Sequence, residues 1–440
     1  MWYIDLEERF IQVLENLKYD SSRNMGMQAM AKYYSGMAAA TMKEEYISKA
    51  EGVLENIHYE EEKNEALYAI ASALTKIGTK KNTQALLIKA EECSDGITDP
   101  FHSVLFFTDL GVAWAVMNNY SKAKELTTLA SRSVPRITDN LQRSEAISHL
   151  SRGIAEMGAE TKRIDFIHIA TNLTNRIYGN FYRARACASI SLAFSRLGED
   201  KKANSWYTTA RELSASIPNL FEYASVAAEL IQVYAQITRA ITGRDPKKEC
   251  KNMFLELGEK VADIKDLYFQ GYAWFKVSKS AAQLGMKSTA LRYLRNGIGC
   301  ALRVKDTYNK SMLYSHSADP LTRTGRLYVA AKALKDALDL VERVPDEFFR
   351  STALSCVAED IPTTIPMAHE AIMFLDHVEY EISTTDRPEE LVPALEKAEE
   401  MLMKGRIMEA VESGMRILSD IQADADLGSL LKKVRAVKKT

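Results

Sequence analysis

The sequence has little that would interrupt a helix, with only 20 glycines and 10 prolines in 440 residues. Its 5 cysteines are odd in number and far apart, and none forms a CxxC pair, which argues against a disulfide framework and against a zinc site. No apolar run approaches the roughly 20 residues that a membrane helix requires. The N-terminal segment is acidic and amphipathic, unlike a signal peptide. We therefore expect a reduced, cytoplasmic protein without a membrane segment.

An excess of one charge is also missing. The 57 basic residues nearly balance the 59 acidic residues, giving a net charge of -2. A general polyanion-binding protein normally carries a clear basic excess. The hydrophobic fraction of 46% and the charged fraction of 26% exclude a chain that is disordered throughout. The composition indicates a folded protein and makes nucleic acid the less favoured class of partner.

Motifs for catalysis, phosphate binding and metal binding are absent as well. The sequence contains no GxxxxGK[ST], GxGxxG or GxSxG segment. The 7 histidines are scattered, and in HEAIMFLDH the two histidines, His369 and His377, lie eight residues apart. A helical zinc site needs a spacing of four, so that both imidazoles point at one ion. We therefore expect no catalytic residue, no metal and no cofactor.

What the sequence does have is a tandem repeat of 40 residues. Stepping by 40 from Gly198 gives a series of anchor positions, and the register resumes after an insertion of seven residues near 240–250. Six of the ten anchors are Gly and one is Asn, the residues that best accept the left-handed backbone at a helix end. The anchors are Ala38, Gly78, Asn118, Gly158, Gly198, Thr238, Gly285, Gly325, Ile365 and Gly405.

Other columns of the repeat agree with this register. Seven residues before the anchor, nine of the ten residues are small, and twelve residues after it alanine predominates, as at Ala210. Nineteen residues after the anchor, eight successive copies have Ile or Val. Apolar residues on either side of the anchor follow helical spacing, so each copy predicts two helices joined by a tight turn. Small residues at the crossings let the helices approach closely.

The connection between copies carries a predicted helix cap. Two residues after the Ile or Val column, six copies have Asp or Asn, whose side chain can accept a hydrogen bond from the first turn of the next helix. These residues are Asp99, Asp139, Asn219, Asp266, Asp306 and Asp346.

This pattern resembles the tetratricopeptide repeat (TPR) along nearly the whole chain. The match runs through Ser191, Gly198, Ala203 and Ala210, and the large apolar position four before the anchor is filled by Phe194. The standard repeat has about 34 residues and commonly closes with Pro, whereas this one is longer and mostly lacks that Pro. The resemblance implies an all-α fold, a right-handed TPR-like superhelix of about nine to ten helical hairpins. It also implies binding of peptides or protein surfaces.

The domain organisation follows from the repeat. We expect residues 1–19 to form a lone second helix that caps the first copy, and residues 20–384 to form the solenoid. Residues 385–440 should form a last hairpin and a basic closing helix that covers the other end. Two prolines in IPTTIP, near Ile361, predict a distorted turn there and a bend or small hinge.

The predicted binding surface is the concave face, lined by the first helix of each copy. Positions 13, 10, 6 and 2 residues before the anchor lie off the apolar stripe and are available to a ligand. The middle copies place basic and aromatic residues there, which suits an acidic peptide segment. The predicted contact residues are Arg152, Arg185, Arg196, Gln232, Tyr272 and Lys279.

Three functional hypotheses remain at this point. The first is a non-catalytic scaffold that binds a protein or an acidic peptide on its concave face. The second is a nucleic-acid-binding solenoid that uses the central arginines, the basic C-terminal tail and the insertion with Arg244, Lys247 and Lys248. An enzyme with an unrecognised site inside the superhelix is the third. The insertion and the tail also have ordinary interpretations, a tolerated surface loop and cations at a helix C-terminus.

Overall fold

The computed structural model of the chain describes residues 4–383, 388–403 and 407–421. Regular structure in these ranges consists of helices without a strand, so the predicted all-α class is confirmed. The helices are α1 Ile4–Glu15, α2 Asp20–Thr41, α3 Glu45–Leu54, α4 Glu60–Lys81, α5 Gln84–Ser94, α6 Pro100–Val116, α7 Tyr120–Ser133, α8 Asn140–Glu160, α9 Ile164–Thr174, α10 Asn180–Arg196, α11 Asp200–Ala215, α12 Leu220–Thr242, α13 Lys247–Ala262, α14 Leu267–Gln283, α15 Lys287–Arg303, α16 Thr307–His316, α17 Ala318–Arg323, α18 Leu327–Glu342, α19 Glu347–Ser383, α20 Pro388–Met403 and α21 Ile407–Ile421. None of these helices is both long and apolar enough to cross a membrane.

The helices pack as successive hairpins in two layers. The first helix of each copy packs against its own second helix and against the first helices of the neighbouring copies. Because first helices touch one another in series, they form the inner layer, and the second helices cover them from outside. The inner helices are α2, α4, α6, α8, α10, α12, α14, the broken helix α16 and α17, and α19.

The two ends of the array meet. Helix α19 packs along α2, and α1 packs against α18, α19 and α2. We call this junction of α1 and α2 with α18 and α19 the seam. One apolar cluster, which includes Leu6 and Ile361, extends across it. Charged groups also cross it: the guanidinium of Arg9 contacts Asp339 at 3.0 Å and Glu342 at 2.5 Å. The inner helices therefore close into a ring.

Closure changes the role of the N-terminal segment. The predicted lone helix is present as α1, but it does not cap an exposed end, because α19 packs along that side of α2. Helix α1 packs mainly against α18 and also contacts α2 and α19, so it lies over the junction of the two chain ends. Phe10 and Leu17, at 0% and 1% exposure, occupy the apolar columns predicted for such a helix.

The packing columns are confirmed by burial. Small residues seven before the anchor are buried in the described copies, and Ala210 and its equivalents Ala50, Ala90, Ala130 and Ala170 are 0% exposed. In three copies the small residue is a serine that also bonds to the outer helix, as where Ser191 Oγ donates to the Ala203 carbonyl at 2.6 Å. The six predicted caps are confirmed too: each Asp or Asn accepts a backbone N–H of the following helix.

The anchor positions divide into two kinds. Asn118, Gly198, Gly285 and Gly325 have positive φ and end the inner helix, as predicted. In the first, second, fourth and sixth copies the inner helix runs one turn further, and in the ninth copy α19 continues through Ile365, so the prediction of a helix end at the anchor is wrong there. Gly158 instead lets α8 pack closely against α9, since a Cβ at this position would lie 2.5 Å from Ile167 Cγ1.

One further prediction of irregular structure is wrong, and another is narrowed. IPTTIP does not form a turn, because α19 continues through it as one helix of 37 residues. The Pro362 ring lies at the seam against Gly36, where a Cβ would come within 2.6 Å of the proline Cγ. At the insertion, α12 continues to Thr242 and α13 starts at Lys247, so the predicted loop is reduced to residues 243–246.

The last described helices, α20 and α21, pack on each other and on α19. They correspond to the predicted last hairpin. The predicted closing helix and the basic tail lie in residues 422–440, outside the described residues, as does the anchor Gly405.

Candidate binding surface on the inner helices

The inner face of the ring is lined by positions 13, 9, 6 and 2 residues before the anchor. These spacings of four, three and four keep side chains on one face of a helix. Position -10, predicted to be available, is mostly buried between helices, as at Phe275, which is 2% exposed, although Tyr68 there is half-buried. Position -9, which the sequence analysis did not select, is half-buried in eight of the nine copies. It holds Ala69, Asp109, His149, Ser189, Glu229, Lys276, His316 and Cys356.

Residues one copy apart in sequence meet on this face, because adjacent inner helices share one register. His149 Nε2 lies 2.8 Å from Asp109 Oδ1, forty residues earlier. The Tyr68 hydroxyl donates in turn to Asp109 Oδ2 at 3.4 Å. The result is a belt of polar contacts that runs from helix to helix across the inner face.

A central cation cluster, Arg152, Arg185 and Lys276, stands out in this belt. Arg185 pairs with Glu229 at 3.0 Å. Within the described part of the chain, Arg152 has no hydrogen-bond or ion-pair partner, and burial followed by the nearby Arg185 charge lowers the pKa of its guanidinium. Burial also lowers the pKa of Lys276, whose ammonium lies 4.7 Å from the Tyr272 ring centroid. Three cations thus lie near Glu229, and the carboxylates of Glu156 and Asp109 also act on Arg152.

Four of the predicted contact residues are engaged within the chain. Arg196 pairs with Glu160 at 2.8 Å, and Lys279 pairs with Asp319 at 2.7 Å. The Gln232 amide donates to Ser280 Oγ and Gln283 Oε1, both at 2.7 Å. The Tyr272 ring stacks on the His316 ring with centroids 4.1 Å apart.

The predicted loop contacts are partly neutralised locally. Arg244 pairs with Glu249 at 2.9 Å, and Lys247 pairs with Asp245 at 3.2 Å. Lys248 is exposed in the first turn of α13. This segment therefore presents little net positive charge.

An open pocket of about 440 Å³ lies beside the seam, between α2, α4, α6 and α19. Tyr68 and Pro362 line it together with charged residues. Two lysines line it, and one of them, Lys32, is already balanced by Glu65 at 2.6 Å and Glu359 at 3.2 Å. The lining therefore carries as many carboxylates as lysines, which makes the pocket less suited to an acidic ligand.

A third group of polar side chains converges where α16 meets α19. His316 Nδ1 lies 3.3 Å from Asp360 Oδ2, and Cys356 Sγ lies 3.6 Å from His316 Nε2. Burial, followed by the charges of Asp360 and Glu359, raises the pKa of the Cys356 thiol well above its usual value. The sequence analysis missed this group because it looked for ligands within one helix. The available signal was the repeat itself, since His316 and Cys356 occupy position -9 of consecutive copies.

The described helices define an all-α array of helical hairpins, the class to which TPR-like repeats belong. No protein-family model matches the chain, and no curated protein does. Among solved structures it is similar to Ton1535 from Thermococcus onnurineus NA1, with 13% identity and a TM-score of 0.31, over 71% of this chain and 95% of that one. It is also similar to a Rap protein complexed with Competence and Sporulation Factor, with 14% identity and a TM-score of 0.30, over 77% and 95%. Likenesses of this strength carry no information about function.

Proposed function

We propose that this protein is a non-catalytic scaffold whose inner ring face binds an acidic segment of a protein or peptide. The observation that carries the proposal is the guanidinium of Arg152, which is desolvated on the inner face and has no hydrogen-bond or ion-pair partner among the described residues. A half-buried cation without a hydrogen-bonded partner is costly, and an incoming carboxylate would lower that cost.

The charge around Arg152 supports an anionic ligand. Arg185 and Lys276 add two more cations; Glu229 pairs with Arg185, while Glu156 and Asp109 act on Arg152 without a direct ion pair. Arg binds carboxylates through two parallel N–H donors, which gives both strength and orientation. Aspartate or glutamate side chains of a bound segment would therefore be held against the inner face of the middle copies.

The flanking residues suit a polypeptide better than a bare ion. Tyr272 presents a half-buried ring next to Lys276. Burial raises the pKa of Tyr272 to about 12, so its hydroxyl stays neutral near pH 7 and remains a hydrogen-bond donor. Arg and Tyr together are favoured at protein interfaces because they combine apolar contact with directional hydrogen bonds.

The charges of the inner face favour this proposal over nucleic acid. Asp109, Glu229, Asp319 and Glu359 alternate with the cations around the ring. A phosphate backbone would meet these carboxylates as well as the arginines, and it binds best to an uninterrupted basic surface. The loop cations, paired with acidic neighbours, add little to such a surface.

The test is binding of a fluorescein-labelled oligoglutamate peptide, followed by fluorescence anisotropy. Loss of a charge-assisted hydrogen bond costs about 1.5–3 kcal/mol, so Arg152→Glu should weaken binding by at least about tenfold. The matched control is Arg132→Glu, the same charge change at an exposed position of the outer helix α7, which should bind like the wild type.

Three results would contradict the proposal. They are absence of saturable binding, equal losses in the two variants, and preferential binding of a single-stranded oligonucleotide that weakens steeply with salt. The last would favour the nucleic-acid hypothesis, because phosphate contacts release counterions in proportion to their number. Thermal unfolding of each variant shows whether a loss of binding reflects a loss of fold.

A further inference from the structure

The cluster of His316, Cys356 and Asp360 is built from two neighbouring inner helices. Cys356 and Asp360 lie four residues apart on α19, so their side chains project from the same face one turn apart. His316 is the last residue of α16, where the inner helix of that copy is interrupted before α17. All three side chains are half-buried. Their ligand atoms all lie within 4.8 Å of one another.

The distances match those of a metal site. In a tetrahedral zinc site the Zn–S, Zn–N and Zn–O bonds are about 2.3, 2.0 and 2.0 Å, which puts adjacent ligand atoms roughly 3.3–3.6 Å apart. In the protein, His316 Nδ1 is 3.3 Å from Asp360 Oδ2 and 3.7 Å from Cys356 Sγ. These two of the three ligand–ligand distances are close to those of a tetrahedral site, and the third pair lies within 4.8 Å.

Neighbouring residues hold two of the ligands in place. The Tyr272 ring stacks on the His316 imidazole with an interplanar angle of 10°, which fixes the plane of the histidine. Ser315 Oγ donates to Asp360 Oδ2 at 2.7 Å and orients the carboxylate. Such outer contacts are typical of metal sites, where they fix ligand direction and tune affinity.

The geometry does not suit a nucleophilic triad. In a triad the base uses one ring nitrogen for the nucleophile and the other for the orienting carboxylate. Here the carboxylate contacts Nδ1, and the sulfur lies at nearly equal distances from the two nitrogens, 3.7 and 3.6 Å. The three ligand atoms lie within 4.8 Å of one another, an arrangement that favours a shared cation.

We propose that His316, Cys356 and Asp360 bind one Zn²⁺ ion, with a water molecule as the fourth ligand. A thiolate, an imidazole and a carboxylate together suit Zn²⁺ and not Mg²⁺ or Ca²⁺, which prefer oxygen ligands alone. The thiolate and carboxylate supply two negative charges, which balance the ion. The bound ion joins α16 to α19, the helix that also forms the seam with α2, and so stabilises the closed ring.

Cobalt(II) is the direct probe, because tetrahedral thiolate coordination of Co²⁺ gives intense visible and near-ultraviolet absorption. Titration of the full chain should show these bands saturating at one equivalent, and Zn²⁺ should abolish them by displacement. Zn²⁺ should also raise the unfolding temperature. Cys356→Ser should lose the thiolate bands and the thermal shift. Ser315→Ala, which removes the hydrogen bond to Asp360 and the contact with the Cys356 thiol, should weaken cobalt binding by about tenfold or more.

The matched control is Cys93→Ser, which removes another half-buried thiol on the outer helix α5 and should leave the bands unchanged. Circular dichroism of the metal-free variants separates loss of binding from loss of fold. The proposal is overturned if the wild type gives no thiolate band, if Mg²⁺ displaces Co²⁺ as well as Zn²⁺ does, or if Cys93→Ser abolishes the signal. These readouts do not involve peptide binding, so this proposal and the scaffold function fail independently.

Discussion

Replacing one glycine at the seam and one elsewhere tests the ring by stability. Gly36 and Gly52 are both helical, in α2 and α3. Glycine in a helix costs roughly 0.5–1 kcal/mol relative to alanine, so both alanine variants gain this much locally. A Cβ at Gly52 meets nothing within 4 Å, whereas a Cβ at Gly36 would lie 2.6 Å from Pro362 Cγ and 3.0 Å from its Cβ.

The clash sets the expected difference. Forcing an extra carbon into a packed junction costs typically about 1–3 kcal/mol, so Gly36→Ala should be less stable than Gly52→Ala by about that amount. Urea unfolding followed by circular dichroism gives the two free energies, provided that the slopes agree. Equal stability of the two variants would refute the reasoning, because it would mean that α2 and α19 do not touch at Pro362.

The remaining predictions concern packing, capping and pH. Ala210→Leu fills a 0% exposed crossing and should cost roughly 1–3 kcal/mol, while Thr208→Leu, exposed on the same helix, should stay within about 0.5 kcal/mol of wild type by thermal unfolding. Asp139→Ala removes the 2.7 Å cap on the Gln142 N–H and should cost about 0.5–2 kcal/mol in urea unfolding. The backbone N–H groups of Tyr19 and Lys18 hold the pKa of Glu347 below its usual 4.5, so its contribution to stability is present above that pH and lost as the pH falls further. The unfolding midpoints of wild type and Glu347→Gln should therefore converge below pH 4.5, and a constant gap would contradict this assignment.

The regular features of the fold could be read from the sequence because each is local. Burial at Ala210, the cap at Asp139 and the helix end at Gly198 depend on residues within one copy, and the structure confirms all three. Gly158 shows the limit of this reading. Glycine is favoured both where the backbone has a positive φ and where two helices pack closely, and the sequence does not distinguish the two uses.

Closure of the ring could not be predicted in the same way. It depends on a small rotation between copies that accumulates over the whole array, and no single column encodes that rotation. The central cation cluster was partly predicted, through Arg152 and Arg185, but Lys276 was missed because the inner face follows position -9 and not -10. The His316 cluster needed contacts between copies, which become visible once the register of adjacent helices is known.

The seam itself is most directly tested by zero-length carbodiimide cross-linking, which joins a lysine to a carboxylate only when the two are in contact. Lys32 Nζ lies 3.2 Å from Glu359 Oε1, 327 residues away in sequence, and 2.6 Å from Glu65 in the next copy. Mass spectrometry of the cross-linked monomer should find peptides joined through Lys32 to both Glu359 and Glu65. Recovery of the Lys32–Glu65 link without Lys32–Glu359 would show that the helical array is open in solution and would contradict the ring.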